Sequence, residues 1–129
     1  MTQLLVALFL VAHGAIHLAF VSPRPAPAEG GPTWPFDLLD GPLARSGRVR
    51  GDRLLSLGRT LVTIVLVGYA LAALGAVGIV SKPSFPIGVV IGSVASLALL
   101  LAGFHRWLAI GILIDVGLIV AVAAGWNPA

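Results

Sequence analysis

The sequence predicts an all-α fold: an integral membrane, up-down four-helix bundle. Three observations carry this expectation. Apolar runs occupy residues 4–21, 54–80, 85–104 and 107–126, each close to or above the ~20 residues a helix needs to cross a bilayer. Hydrophobic residues make up 58% of the chain before its 16 glycines are counted, and charged residues only 10%, whereas soluble domains hold about 45–50% apolar residues with glycine included and about 25% charged ones. The links between the last three runs are only a few residues long, and short links make successive helices antiparallel neighbours. The length, 129 residues, supports one domain over 1–129.

The run at 4–21 has the length of a span but not the anatomy of a cleaved leader. No Lys or Arg precedes Leu4, and prolines crowd the small-residue segment Arg24–Ala28 where a cleavage site would fall. It is read as a retained span. The loop at 22–53 begins rich in proline and glycine, hence extended. It continues as Trp34-Pro35-Phe36-Asp37-Leu38-Leu39-Asp40-Gly41. Trp34, Phe36, Leu38 and Leu39 are expected either to dip into the membrane interface or to fold as a lid under the bundle. Gly41-Pro42 is expected to end any short helix there.

The run at 54–80 is followed by the turn Ser81-Lys82-Pro83-Ser84, where Pro83 and Pro86 suit a turn and a helix start. Small residues recur at four-residue spacing: Gly68, Ala72 and Ala76, then Gly88, Gly92 and Ser96, then Gly111, with Gly117 and Ala121 further on. Such stripes let helix backbones approach closely in lipid, and packing within the bundle is the expected use. Trp107 and Trp126 bracket the last run, as interfacial aromatics do.

A net charge of +3 does not indicate nucleic acid, because the basic residues flank the apolar runs. Arg24, Arg45, Arg48, Arg50, Arg53 and Arg106 lie in the first and third loops, with Arg59 just inside the second run, while the second loop has only Lys82. The positive-inside bias therefore predicts loops one and three in the cytoplasm and both termini outside, and the Arg-rich, nearly Lys-free basic set with abundant Ala, Gly and Val fits a bacterial source, hence a bacterial inner membrane. Arg45, Arg48, Arg50 and Arg53 are expected to contact anionic lipid, at about 1 kcal/mol each. Asp37, Asp40 and Asp52 are expected to pair with arginines of this loop. With no cysteine in the chain, disulfides and thiolate chemistry are excluded.

Ionisable groups within the apolar runs are the candidate site, since a charge in hydrocarbon costs at least ~2.5–3.5 kcal/mol. His13 and His17 are one helical turn apart on one face. His13 and Asp115 each lie eight residues from the loop end of their runs, about 12 Å deep at ~1.5 Å per residue. Arg59 and Thr63 enter from the second run, Tyr69 lies near its middle, and Ser93 and Ser96 are central in the third. The expected polar pocket comprises His13, His17, Arg59 and Asp115 and opens toward the cytoplasm. It has three readings: a helix lock, a proton or small-solute site, and a metal site formed by His13, His17 and Asp115, whose ligand types suit Zn, Fe or Cu. His105, beside Arg106, is read as interfacial. No nucleotide-binding loop, hydrolase elbow or zinc finger occurs.

At His13-Gly14-Ala15-Ile16-His17-Leu18, Trp34-Pro35-Phe36-Asp37-Leu38 and Ile114-Asp115-Val116, the chain resembles small four-span bacterial membrane proteins, some labelled transporter permeases. Its layout is similar to that of DoxX-like proteins, some of which associate with quinone-linked redox enzymes. The resemblance implies a transporter-type or accessory membrane subunit, with a partner subunit or a second copy as its companion. Redox activity is not carried over, because no quinone signature is present. No cofactor is therefore expected on the favoured reading, and a metal ion or quinone on the alternative one.

Overall fold

The computed structural model describes every residue except Ala28, Pro32 and Ala129. It is all-helical, with no strand among the described residues. Helix α1 spans Thr2–Ile16 and continues as a 3₁₀ turn, His17–Phe20. Short α2 is Pro42–Arg45, α3 is Gly51–Ala76 and α4 is Ser84–Ala102. A 3₁₀ turn at Arg106–Leu108 leads into α5, Ala109–Ala123. Thr2–Phe20, Gly51–Ala76, Ser84–Ala102 and Arg106–Ala123 are each long and apolar enough to cross a membrane.

The helices form a row folded toward closure. α3 packs along both α1 and α4, and α4 along α5, while α1 and α5 barely approach each other. Both termini meet the second turn at one end: Gln3 Nε2 donates to the Pro128 carbonyl at 3.1 Å and Asn127 Nδ2 to that of Lys82 at 3.4 Å. At the other end, Thr33 Oγ1 meets His105 Nε2 at 3.2 Å, joining the first loop to the third.

Glycine makes the tightest helix pair. A Cβ at Gly68 would stand 2.6 Å from the Gly92 amide nitrogen, and one at Gly88 would stand 2.5 Å from that of Ala72. The small-residue stripes of α3 and α4 therefore face each other and bring the two backbones into contact, which is where membrane helices gain much of their packing energy. On α5 the stripe is divided: a Cβ at Gly111 would stand 3.0 Å from Leu100 Cδ1, whereas Gly117 meets nothing within 4 Å.

Helix ends differ from the apolar runs at two places. α3 stops at Ala76 and not near residue 80, because Gly78 takes φ 77° and the Ile79 N–H returns to the Leu74 carbonyl at 3.0 Å; this left-handed closure favours glycine. Gly41-Pro42, expected to end a short helix, instead opens one: Pro42 occupies the first turn of α2 with Gly41 as its N-cap. Proline lacks only an N–H that a first turn leaves unbonded anyway.

The first loop folds back as a lid. Leu38 is buried with Phe20, Val62, Leu99, Leu100 and Leu108 and its tip sits over Gly58, where a Cβ would make the leucine shift. Phe36 packs edge-on to Phe20, and Trp34 against Phe36. Leu39, expected to act with them, is exposed. Arg24 donates to Asp37 at 2.9 Å, and Arg50 holds Asp52 through two bonds. Leu38→Asp would place a carboxylate in this apolar layer. We expect it to free the loop, measured as faster proteolysis between residues 22 and 50 in detergent, while Leu39→Asp leaves the rate unchanged.

Candidate functional site

A buried polar cluster links all four long helices. Asp115, fully buried on α5, is its hub. His13 Nε2 on α1 lies 2.9 Å from Asp115 Oδ1. The Tyr69 hydroxyl on α3 donates to the same oxygen at 2.5 Å, and the Ser96 hydroxyl on α4 donates to Oδ2 at 2.5 Å. Ser96 Oγ also lies 2.6 Å from His17 Nε2, and Ser93 Oγ is 3.0 Å from the Tyr69 hydroxyl. No fully enclosed side-chain nitrogen or oxygen lacks a partner among the described residues.

Local backbone features place each group. At His17 the α-helix tightens to 3₁₀ and the His17 N–H reaches the Gly14 carbonyl. The His13 carbonyl meets His17 Nδ1 at 3.0 Å. A carbonyl can only accept, so Nδ1 carries the proton and Nε2 points toward Ser96. Tyr69 stands in a slot between two glycines: a Cβ at Gly14 would meet its ring at 3.3 Å and one at Gly92 at 3.0 Å. Its ring packs edge-on to His13 at 5.3 Å, and Phe9 stacks on the other side of His13 at 5.9 Å.

Of the four residues expected in the pocket, the structure brings together His13, His17 and Asp115. Arg59 stays outside: its side chain is exposed and makes no bond to the cluster among the described residues. Helical phase explains the difference. α3 turns Leu54, Gly58, Val62, Val65 and Tyr69 inward, and Arg59 falls off that face, from where it can extend its charged head toward the headgroups. The expected opening to the loop side is also not seen, because Phe20 and Leu38 lie buried at that end. Tyr69, Ser93 and Ser96 complete the cluster. Their signal in the sequence is that they are polar residues in the middle of otherwise apolar runs.

Proton counting constrains the cluster. Tyr69, Ser93 and His13 each supply one proton to one contact. Ser96 has a single hydroxyl proton but two short contacts, to Asp115 Oδ2 and to His17 Nε2. An ionised carboxylate and a neutral imidazole together supply no proton for the second contact. Satisfying both contacts takes one further proton in the chain Asp115–Ser96–His17, either on the carboxyl or on His17 Nε2. The two forms interconvert by shifting two protons through the Ser96 hydroxyl. In both, Asp115 and His17 together are electrically neutral, which avoids an unbalanced charge at this depth.

The same residues offer a donor set for a metal: His13, His17 and Asp115 each have a ligand atom, all within 4.8 Å of one another. Two imidazoles and a carboxylate suit first-row divalent ions, and the bond from His17 Nδ1 to the His13 carbonyl is the outer-shell contact that orients such a ligand. Comparison with protein-family models, curated proteins and solved structures finds no match.

Proposed function

We propose that this protein is a non-catalytic, transporter-type or accessory subunit of a bacterial inner membrane. In this reading the His13–Asp115–Ser96–His17 cluster holds a proton and fastens the four helices together. The observation that carries it is the pair of short contacts made by Ser96, which one hydroxyl proton cannot satisfy. Proton-bearing His/Asp chains within spans are typical of relays and coupling sites. Asp115, Ser96 and His17 are buried and the cleft beside the two histidines is lined by apolar side chains, so moving the proton on to water requires the lid or α5 to shift. The test is infrared spectroscopy of the protein in lipid. Either a protonated carboxyl band that vanishes in Asp115→Asn, or an imidazolium assigned to His17, supports the reading. Absence of both would refute it.

The orientation proposed places the lid and Arg45, Arg48, Arg50 and Arg53, on or beside α2, against the anionic cytoplasmic leaflet, with both termini outside. A cysteine introduced at exposed Ser46 is expected to label only from the cytoplasmic side and one at exposed Ser81 only from the outside. Labelling of both from one side would contradict the span arrangement.

A second reading is favoured by the proximity of the His13, His17 and Asp115 ligand atoms: a metal- or quinone-dependent redox protein. In such a site His17 Nε2 would exchange Ser96 for the ion while its Nδ1 keeps the His13 carbonyl. Elemental analysis of protein purified without chelator separates the two readings. We expect less than stoichiometric metal, unaffected by His17→Ala. One metal per chain, lost in His13→Ala and in His17→Ala, would replace the proton reading with the metal one.

A further inference from the structure

α1 and α5 do not pack along their length, and a cleft of about 240 Å³ separates them on the flank that would face lipid. Its walls include Ile16 from α1, Leu100 from α4, and Ile110, Gly111 and Ile114 from α5, with Trp107 beside them; His13 and His17 also line it. Ile16, Trp107 and Ile110 are themselves exposed, so the cleft opens sideways between α1 and α5, with Phe36 of the lid and Leu108 lining it toward the loop end. An occupant would enter from the bilayer.

The two imidazoles differ in what they offer. Both ring nitrogens of His17 are bonded. His13 uses only Nε2, which donates to Asp115, and its Nδ1 has no hydrogen-bond partner among the described residues. A neutral imidazole that donates through one nitrogen has a lone pair on the other. His13 is 6% exposed and no enclosed polar atom is left unsatisfied, so Nδ1 is not sealed off, and the cleft is the cavity that His13 lines. An acyl chain filling this space would leave the acceptor unpaired, which costs free energy in an apolar setting. A hydroxyl would satisfy it.

We infer that the cleft between α1 and α5 binds a membrane-soluble molecule with a hydroxyl group, which donates a hydrogen bond to His13 Nδ1 while its hydrocarbon part lies along Ile16, Ile110 and Ile114 toward the lipid. The volume admits a ring or a short branched head, with the remainder of the molecule left in the bilayer. Polar recognition at one point within an apolar cleft is the usual build of a small-molecule site. Binding here changes what His13 accepts and does not require the proton between Asp115 and His17 to move, so it stands apart from the proposed proton-holding role.

The probes are 4-octylphenol and its methyl ether, which match in bulk and membrane partitioning but differ in the one donor. With ¹⁵N-histidine protein in nanodiscs, the phenol is expected to shift the His13 Nδ1 resonance saturably and the ether to leave it in place. Ile110→Trp, a lipid-exposed change that fills the mouth of the cleft, is expected to abolish the shift while the His17 resonances stay native. Equal shifts from phenol and ether, no shift with phenol, or an undiminished shift in Ile110→Trp would each overturn the inference.

Discussion

Asp115→Leu is expected to destabilise the bundle by about 2–4 kcal/mol, whereas Asp115→Asn stays within about 1 kcal/mol of the native protein. Leucine removes the acceptor shared by His13, Tyr69 and Ser96; Tyr69 keeps Ser93 and Ser96 keeps His17, but buried His13 Nε2 is stranded and three interhelical bonds are lost. Each interhelical bond in lipid contributes only about 0.6–2 kcal/mol, but a stranded partner adds a desolvation cost of its own. Asparagine behaves differently because its carbonyl still accepts from His13 and Tyr69. Its amide donates to Ser96, whose hydroxyl is then free to donate to neutral His17. The variant thus mimics the protonated carboxyl and keeps every contact while removing the titratable proton. Unfolding in mixed detergent micelles measures the stability, and any proton-linked activity should be lost in Asp115→Asn although its fold persists. Equal destabilisation by the two substitutions would contradict this account of the cluster.

Gly88→Leu is the second large effect, expected to cost about 3 kcal/mol or more and to separate α3 from α4. A Cβ at this position would stand 2.5 Å from the Ala72 amide nitrogen, so the backbones themselves must part. Overpacking commonly costs about 1–3 kcal/mol when side chains can adjust, and here none can. Gly117→Leu, on the open face of α5, serves as the matched control and should be neutral. A cysteine pair placed across α3 and α4 should cross-link in Gly117→Leu and fail in Gly88→Leu. Cross-linking in both would mean that the glycine contact does not set this interface.

The long apolar helices were legible in the sequence because a bilayer demands length and hydropathy, and both are local properties. The equal depth of His13 and Asp115 was also legible, since rise per residue turns position into height. What escaped was lateral. Tyr69 belongs to the cluster because Gly14 and Gly92, on two other helices, leave a slot for its ring, and one helix's periodicity carries no record of its neighbours' gaps. Ser96 was visible as a polar residue at a useful depth, yet its double contact depends on the 3₁₀ tightening that turns His17 inward. Arg59 has a depth that suits the pocket, but α3 turns Leu54, Gly58, Val62, Val65 and Tyr69 inward and leaves Arg59 exposed; depth alone does not tell which face a residue occupies. Leu38 reads in the sequence as interfacial or lid-forming, and its burial over Gly58 decides for the lid.

Solid-state NMR of uniformly ¹³C,¹⁵N-labelled protein in lipid bilayers would report the Asp115 carboxyl carbon and the His17 ring nitrogens in one sample. The account predicts a matched pair at neutral pH: a protonated carboxyl beside a neutral His17, or a carboxylate beside an imidazolium, with His17 Nδ1 protonated in either case. A carboxylate facing a neutral His17 would contradict it, because the Ser96 hydroxyl would then be left to serve two acceptors with one hydrogen.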